Sequence, residues 1–440
     1  MSDPHAHSGS ALSRLPFFYG WVVVGVAFVT MAVGVNSRTA FSLLFPAMLD
    51  EFGWSRAVVA GIFSAGFAGS MLLGPLIGMA MDRFGPRWLI PFGATMSGLG
   101  LILATTATEA WHLYLTLGCV AISFSTIVSY NGHAMFLPNW FARKRGLALG
   151  VAFAGVGFGA IVLMPFLQTV IEDGGWRMAC WTMAGLLIAV AVPLNILLQR
   201  RRPEDMGLRP DGDAATPADA ATGAAAEKSN IVDADWAARD WTIARAARTA
   251  RFWWLFAGYF CCLFAWYAVQ VHQTKYLIGA GFDPTLAAFA LGLVGLFGIV
   301  GQIAIGSLSD RIGREWGWTL ALSGYALCYL LLLALDSYPD PRLIYLMVAA
   351  QGLLGYGLAT LFGPIAMEIF HGRNAGAILG TLNMASGLGA AAGPWSFGLI
   401  HDLTGSYAPA FWLAFAISLF SILCIWRAAP RRVRLVAGRI

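Results

Sequence analysis

The chain has 440 residues, 58% of them apolar and only 12% charged, with a net charge of +5 and a mean hydropathy of +0.68. So little charge cannot cover a water-soluble surface, so the composition excludes a soluble enzyme or a nucleic-acid binder and places the chain in a lipid bilayer. The basic excess is therefore a statement about topology rather than about partners.

In chain order, the first dozen residues are polar and lack a secretory-leader pattern, so the first apolar stretch is expected to remain as an anchor. Apolar stretches follow at 17–40, 57–80, 87–107, 112–138, 146–170 and 177–199, each long enough to cross about 30 Å of hydrocarbon as a helix. The pattern then breaks from about 203 to 250. Rich in Ala, Asp, Pro and Gly from Pro203 to Ala226, this segment reads as a flexible linker. Its end, Trp241 to Arg248, has the spacing of an interfacial helix with Arg on one side. Six more apolar stretches occupy 252–278, 285–308, 316–335, 342–368, 375–400 and 408–426. The expected organisation is an N-terminal tail (1–14), a six-helix bundle (15–199), a linker (200–250), a second six-helix bundle (251–428) and a C-terminal tail (429–440). Cys119, Cys180, Cys261, Cys262, Cys328 and Cys424 all fall in apolar stretches without metal-ligand spacing and read as packing residues. No metal or cofactor is expected.

The two halves are copies. Gly78-Met-Ala-Met-Asp82-Arg83-Phe-Gly85-Pro-Arg87 returns 228 residues later as Gly306-Ser-Leu-Ser-Asp310-Arg311-Ile-Gly313-Arg314, each time in a short loop between two apolar stretches. At an offset of 230, Gly146, Gly150, Gly157 and Gly159 match Gly376, Gly380, Gly387 and Gly389. A duplicated membrane bundle is the expected frame of a transporter. If both termini are cytoplasmic, 23 of the 28 Lys and Arg lie inside, the exceptions being Arg38, Arg56, Arg177, Lys275 and Arg342. That orientation in a cell (inner or plasma) membrane is the one expected.

The doubled Gly-x-x-x-Asp-Arg-x-Gly loop resembles the signature of the major facilitator superfamily. Tyr19-Gly20-Trp21 and Trp140-Phe-Ala-Arg-Lys-Arg-Gly-Leu-Ala-Leu-Gly-Val-Ala-Phe-Ala-Gly155 resemble the monocarboxylate transporter family, and Arg202-Pro-Glu-Asp-Met-Gly-Leu-Arg-Pro-Asp-Gly212 is similar to the linker start of its bacterial members, oxalate and formate exchangers included. The resemblance implies an all-α membrane protein, with twelve transmembrane helices in two pseudo-symmetric six-helix bundles around a central cavity. It also implies that Asp82, Arg83, Asp310 and Arg311 form an inner gate, and that helices one, four, seven and ten line the cavity. The sequence departs from the family where Gln302 stands in place of an eighth-helix Arg, Gly298 in place of an acidic residue, and Ser386 in place of the Lys of oxalate exchangers. These departures argue against oxalate.

Ionisable groups inside the apolar stretches are costly and mark function. All 23 Asp and Glu lie in loops, tails or at span ends, so no carboxylate waits at mid-membrane for a cation, and the substrate is expected to be an anion or a neutral molecule. The cationic candidates are Arg38, His133, His272 and Lys275. Asn36, Tyr130, Asn131, Gln302, Tyr356 and Asn383 are candidate hydrogen-bonding partners of a carboxylate. A coupled proton would ride on His272, on His133 or on the substrate itself, imidazole being suited because it titrates near physiological pH. The expected function is alternating-access transport of a small organic anion with a proton, by a monomer. The alternatives are efflux of a neutral or lipophilic compound and a membrane sensor that binds without transport. No Ser/His/Asp set or phosphate loop suggests an enzyme.

Overall fold

The computed structural model describes residues 17–141, 145–210, 231–372 and 374–433. The expected N-terminal tail, the Arg143-Lys144 pair, the middle of the linker and the last residues of the C-terminal tail lie outside the described residues. In hydrocarbon every backbone N–H must be paired within its own segment, and these apolar sequences solve that as helices. The first half contains α1 (Gly20–Phe52), α2 (Arg56–Phe84), α3 (Pro86–Ala104) and α4 (Ala110–Asn139). A helical run of 52 residues, Leu147–Leu198, follows. At 1.5 Å per residue it would measure roughly 78 Å, more than two bilayer cores. It is broken at Gly175, whose φ of 76° and ψ of 172° are not helical, into α5 (147–174) and α6 (176–198). The second half contains α7 (Ala250–Gly279), α8 (Pro284–Ile312), α9 (Arg314–Ser337), α10 (Pro341–Ile369), α11 (Ala375–Thr404) and α12 (Ala408–Ala428). Eleven apolar helical runs among the described residues thus make twelve crossings.

We call the side where α6 ends and α7 begins the linker face, and the opposite side the far face. Local chemistry sets the ends. Asp283 caps α8 by accepting from the backbone of Thr285 and Leu286, and Ser55 and Thr249 cap α2 and α7. The repeated loop motif also acquires a backbone reason. Its last glycines, Gly85 and Gly313, have φ of 71° and 105°, in the region that side chains avoid, and each turns the chain into the next helix within one residue. The linker end differs from expectation. Only Ile243–Ala246 is helical, and Trp241 is buried against Trp236 and Phe370. Trp236 donates to the Ile369 carbonyl, and Asn374 donates to that of Trp241. The segment is tied to the ends of α10 and α11 because its aromatic side chains find a protein pocket there, instead of lying along a lipid surface.

The halves meet along α2 with α11 and α5 with α8, where small residues let backbones touch. A methyl at Gly157 would come within 2.3 Å of the Gly295 carbonyl, and one at Gly387 within 2.6 Å of the Met71 side chain. Two turns toward the linker face, on those same helix faces, the contacts stop. Gly78, Gly150 and Gly380 meet nothing within 4 Å. The halves are therefore closed on the far side and splayed on the linker side.

Helix packing inside one half is just as tight at Gly389, where a methyl would stand 2.0 Å from the Phe260 carbonyl of α7. Gly389→Ala should therefore lower the melting temperature of the purified protein, at a cost of about 1–3 kcal/mol. Gly380→Ala, facing open space, should leave it unchanged or slightly raised. Thermal unfolding of both variants in detergent tests this, and equal melting temperatures would refute it.

Candidate functional site

Arg38 occupies the middle of the molecule. The sequence suggested a helix ending near residue 40, with Arg38 close to its outer end. In the structure α1 continues to Phe52, so Arg38 lies 14 residues, roughly 21 Å, from the far end. At that depth a guanidinium cannot snorkel to headgroups. It is 9% exposed and has no carboxylate partner among the described residues. Its charge rests instead on ring faces, with Cζ 5.2 Å from the centroid of Phe67 in α2 and 5.9 Å from that of Tyr267 in α7.

Three further helices bring polar groups to the same place. Tyr130 of α4 lies beside Gln302 of α8, and both Tyr130 and Tyr356 of α10 lie within electrostatic range of Arg38 and Tyr267. All four of Tyr130, Tyr267, Gln302 and Tyr356 are half-buried at mid-span, and they surround the space where the two halves face each other. Backbone irregularity places the two outer tyrosines. In α4 a π-helical stretch, Tyr114–Ile122, is followed by a non-helical break just before Tyr130. In α10 a π-helical stretch, Ala350–Leu354, leads into the 3₁₀ turn Gly355–Thr360 that carries Tyr356. Such breaks are tolerated in a membrane where they face a cavity. Gly298 makes room for Tyr356, since a methyl there would lie 2.5 Å from the phenol ring.

The other sequence candidates are placed elsewhere. Asn36 is fully buried and donates to the Ala32 carbonyl at 2.7 Å and the Val156 carbonyl at 2.9 Å, joining α1 to α5. His133 is fully buried, with Nδ1 3.0 Å from the Ser129 carbonyl and Nε2 unpartnered. Asn131 and Asn383 stand at exposed positions, each about two turns from the linker-side end of its helix. Lys275 reaches Asp50 of α1 at 2.7 Å near the far face. It lines a pocket of about 260 Å³ there with Arg56, Asp336, His401 and Tyr407. The face shared by His272, Lys275 and Tyr276 therefore does not look into the central cavity. Tyr276 donates to the Leu332 carbonyl of α9 within its own half.

His272 belongs to a latch that closes the far side. Its Nε2 lies 2.8 Å from the Pro394 carbonyl, which only accepts, so Nε2 carries the hydrogen and Nδ1 accepts from the Tyr407 hydroxyl at 3.1 Å. Arg56 of α2 lies over the Tyr407 ring and donates from Nη1 to Nδ1 of His401 at 3.1 Å. Asp402 then accepts from the backbone N–H of Arg56 and of Ala57 at 3.0 and 2.8 Å, so the end of α11 caps the start of α2 across the two halves. Ser42 against Thr274 at 2.8 Å and Gln270 donating to Thr39 at 3.3 Å add rungs between α1 and α7.

At the linker face the expected inner-gate residues pair within their own halves. Asp82 accepts from Arg201 at 3.1 Å; Asp310 pairs with Arg314 at 2.6 Å, and Arg314 also holds Glu368 at 2.7 Å. Arg83 and Arg311 are exposed, and among the described residues no ion pair joins the halves on this side.

Sequence reasoning passed over Tyr267, Phe67, His401 and Asp402. An aromatic residue inside an apolar helix carries no polarity signal, and residues at a helix end read as loop chemistry until the partner helix is known.

Comparison with known proteins agrees with this architecture. A family model described as Major Facilitator Superfamily matches residues 23–360 and 281–438. Monocarboxylate transporter 12 of Rattus norvegicus is 27% identical over 94% of this chain and 87% of its own length. Monocarboxylate transporter 13 of Bos taurus is 27% identical over 91% of this chain and 87% of its own length. Among solved structures, the nucleoside transporter NupG superimposes with a TM-score of 0.68 at 11% identity, covering 93% of this chain and all of that one. A bacterial homolog of the human lysosomal transporter Spinster, inward-facing and occupied, superimposes with a TM-score of 0.65 at 15% identity, covering 94% of this chain and 97% of that one.

Proposed function

Given that the chain belongs to the Major Facilitator Superfamily, a family of multi-pass membrane transporters and not enzymes, we propose that it carries a small organic anion by alternating access, with a proton as the coupling ion. The observation that supports this is Arg38, a mid-membrane cation without a carboxylate partner among the described residues, with Tyr130 and Tyr356 within electrostatic range of it and Gln302 beside Tyr130. An unpaired charge at that depth is costly and is retained where a ligand completes it. A carboxylate would accept from the guanidinium fork and from the phenols together. With most Lys and Arg on the linker side, that face is assigned to the cytoplasm, and the structure then corresponds to the inward-open member of the cycle.

The latch supplies the proton chemistry. His401 serves as a neutral acceptor for Arg56, so protonating it breaks a bond of the far-side closure, while protonating His272 reverses its bond with the Tyr407 hydroxyl and puts a charge under the ring that Arg56 covers. The new charge would also face Arg56, which repels it, while Asp402 offsets part of that repulsion. Proton arrival from the far side thus opens that side, and proton release restores the closed latch.

Proteoliposome uptake of labelled mono- and dicarboxylates, with and without an inward proton gradient, tests this reading. Gradient-stimulated uptake of an acid is expected, with the stimulation lost in His272→Gln. Uptake that ignores pH, together with a silent His272→Gln, would remove the proton from the mechanism. Uptake of no acid at all would remove the anion and turn the assignment to a neutral or lipophilic compound.

A further inference from the structure

We propose that the carried anion is an aromatic monocarboxylate, with one carboxylate on Arg38 and a planar ring in the aromatic cage around it. This rests on the anion-carrier reading above and names its substrate class. The cage is assembled from five helices: Phe67 of α2, Tyr130 of α4, Phe153 of α5, Trp266 and Tyr267 of α7 and Tyr356 of α10. Phe67 and Tyr267 have centroids 4.5 Å apart, Trp266 and Tyr356 are also 4.5 Å apart, and Tyr130 meets Phe153 edge to face at 4.9 Å. Rings contributed by both halves to one point at mid-depth differ from a lipid-facing aromatic belt, which gathers at the two interfaces.

Charge and shape both narrow the ligand. Aromatic cages ordinarily receive cations, but here Arg38 already lies over the Phe67 and Tyr267 faces, so a second cation would be repelled. Among the described residues Arg38 is the one cation placed in this cavity. A second carboxylate on the ligand would be desolvated without a partner, which disfavours dianions. The polar groups placed beside the cage are chiefly phenols and Gln302, and Gln270 is already bonded to Trp266 and Thr39, which leaves little to satisfy a polyhydroxylated ligand. Tyr267 and Tyr356 make no phenolic hydrogen bond to protein among the described residues, so their hydroxyls remain for the ligand. A short aliphatic acid would leave the ring faces wet, whereas an aryl ring stacks on them at the 4.5–7 Å spacing that aromatic pairs favour.

The test is uptake into proteoliposomes of four probes: acetate, cyclohexylacetate, phenylacetate and phthalate. Phenylacetate is expected to be taken up at least about tenfold more efficiently than acetate or phthalate, and about threefold or more better than cyclohexylacetate, which matches its size but not its π-face. Tyr267→Leu should erase the distinction between the two ring acids, whatever it does to the uptake of either, and Tyr267→Phe should preserve the distinction. Thermal stabilisation of the purified protein by phenylacetate over cyclohexylacetate gives a readout independent of transport. Equal handling of phenylacetate and cyclohexylacetate, or acetate or phthalate as the best substrate, would overturn the aromatic assignment and leave the anion carrier standing. Failure of all four to be transported or to stabilise the protein would overturn both.

Discussion

Replacing Arg38 by Gln should reduce uptake efficiency of the transported acid by roughly 30- to 150-fold while leaving the protein folded. The size follows from the bond removed. A hydrogen bond between two charged partners is worth about 2–3 kcal/mol, and each 1.4 kcal/mol is a factor of ten. The fold should survive because Arg38 holds no carboxylate of the protein in place among the described residues, and its contacts with Phe67 and Tyr267 are ring contacts that a Gln stem partly replaces. Arg38→Lys keeps the charge but loses the planar fork, so it should recover a fraction of the activity. Proteoliposome uptake beside a melting curve separates the two roles. If Arg38→Gln transports normally, the guanidinium is merely a packing element between α2 and α7 and the anion assignment fails.

Asp402→Ala is expected to shift the protein toward states open on the far side by roughly 5- to 30-fold. Asp402 accepts two backbone N–H groups at the start of α2, at 3.0 and 2.8 Å, and it does so from α11 in the other half. Its removal leaves the Arg56 and Ala57 N–H groups without that acceptor, with Ser55 still capping at Val58, and withdraws the negative charge beside Arg56 and His401. Because Asp402 is exposed, the effect is discounted to about 1–2 kcal/mol. A cysteine introduced at Thr274, which packs against Ser42 in the closed far side, reports the change through its alkylation rate from that side. Acidifying the far-side solution should raise the rate in the protein with Asp402 intact, since protonated His401 can no longer accept from Arg56. Unchanged labelling on both counts would show that the closure depends on helix packing alone.

Much of the architecture was legible because it rests on local rules. Span lengths follow from the bilayer's thickness, the twofold repeat is written in the loop motif, and the glycines at 85 and 313 recur because one positive-φ turn is needed twice. The linker end was misjudged for the opposite reason. Trp241 looks interfacial by spacing, but its partners Trp236 and Phe370 are brought to it by the ends of other helices.

The candidate site divides along the same line. Residue type alone picked Arg38, Tyr130, Gln302 and Tyr356, since polar groups inside apolar helices are few and expensive. Which of the polar residues share a cavity was beyond the sequence. His272 and Tyr267 lie five positions apart on α7, about 140° around the helix, so one enters the latch against α11 and α12 while the other meets Arg38. Asn36 and Arg38, two apart on α1, likewise diverge, the first to the α5 backbone and the second to the rings. The sequence by itself determined a duplicated helical membrane transporter with Arg38 as one of four cationic candidates, because hydrophobicity and repetition are carried along the chain. Only the tertiary structure decided which side is closed and which rings surround that cation. Those properties depend on how α4 and α10 break, how far α1 extends, and where glycines let one half approach the other, all of which are set between helices.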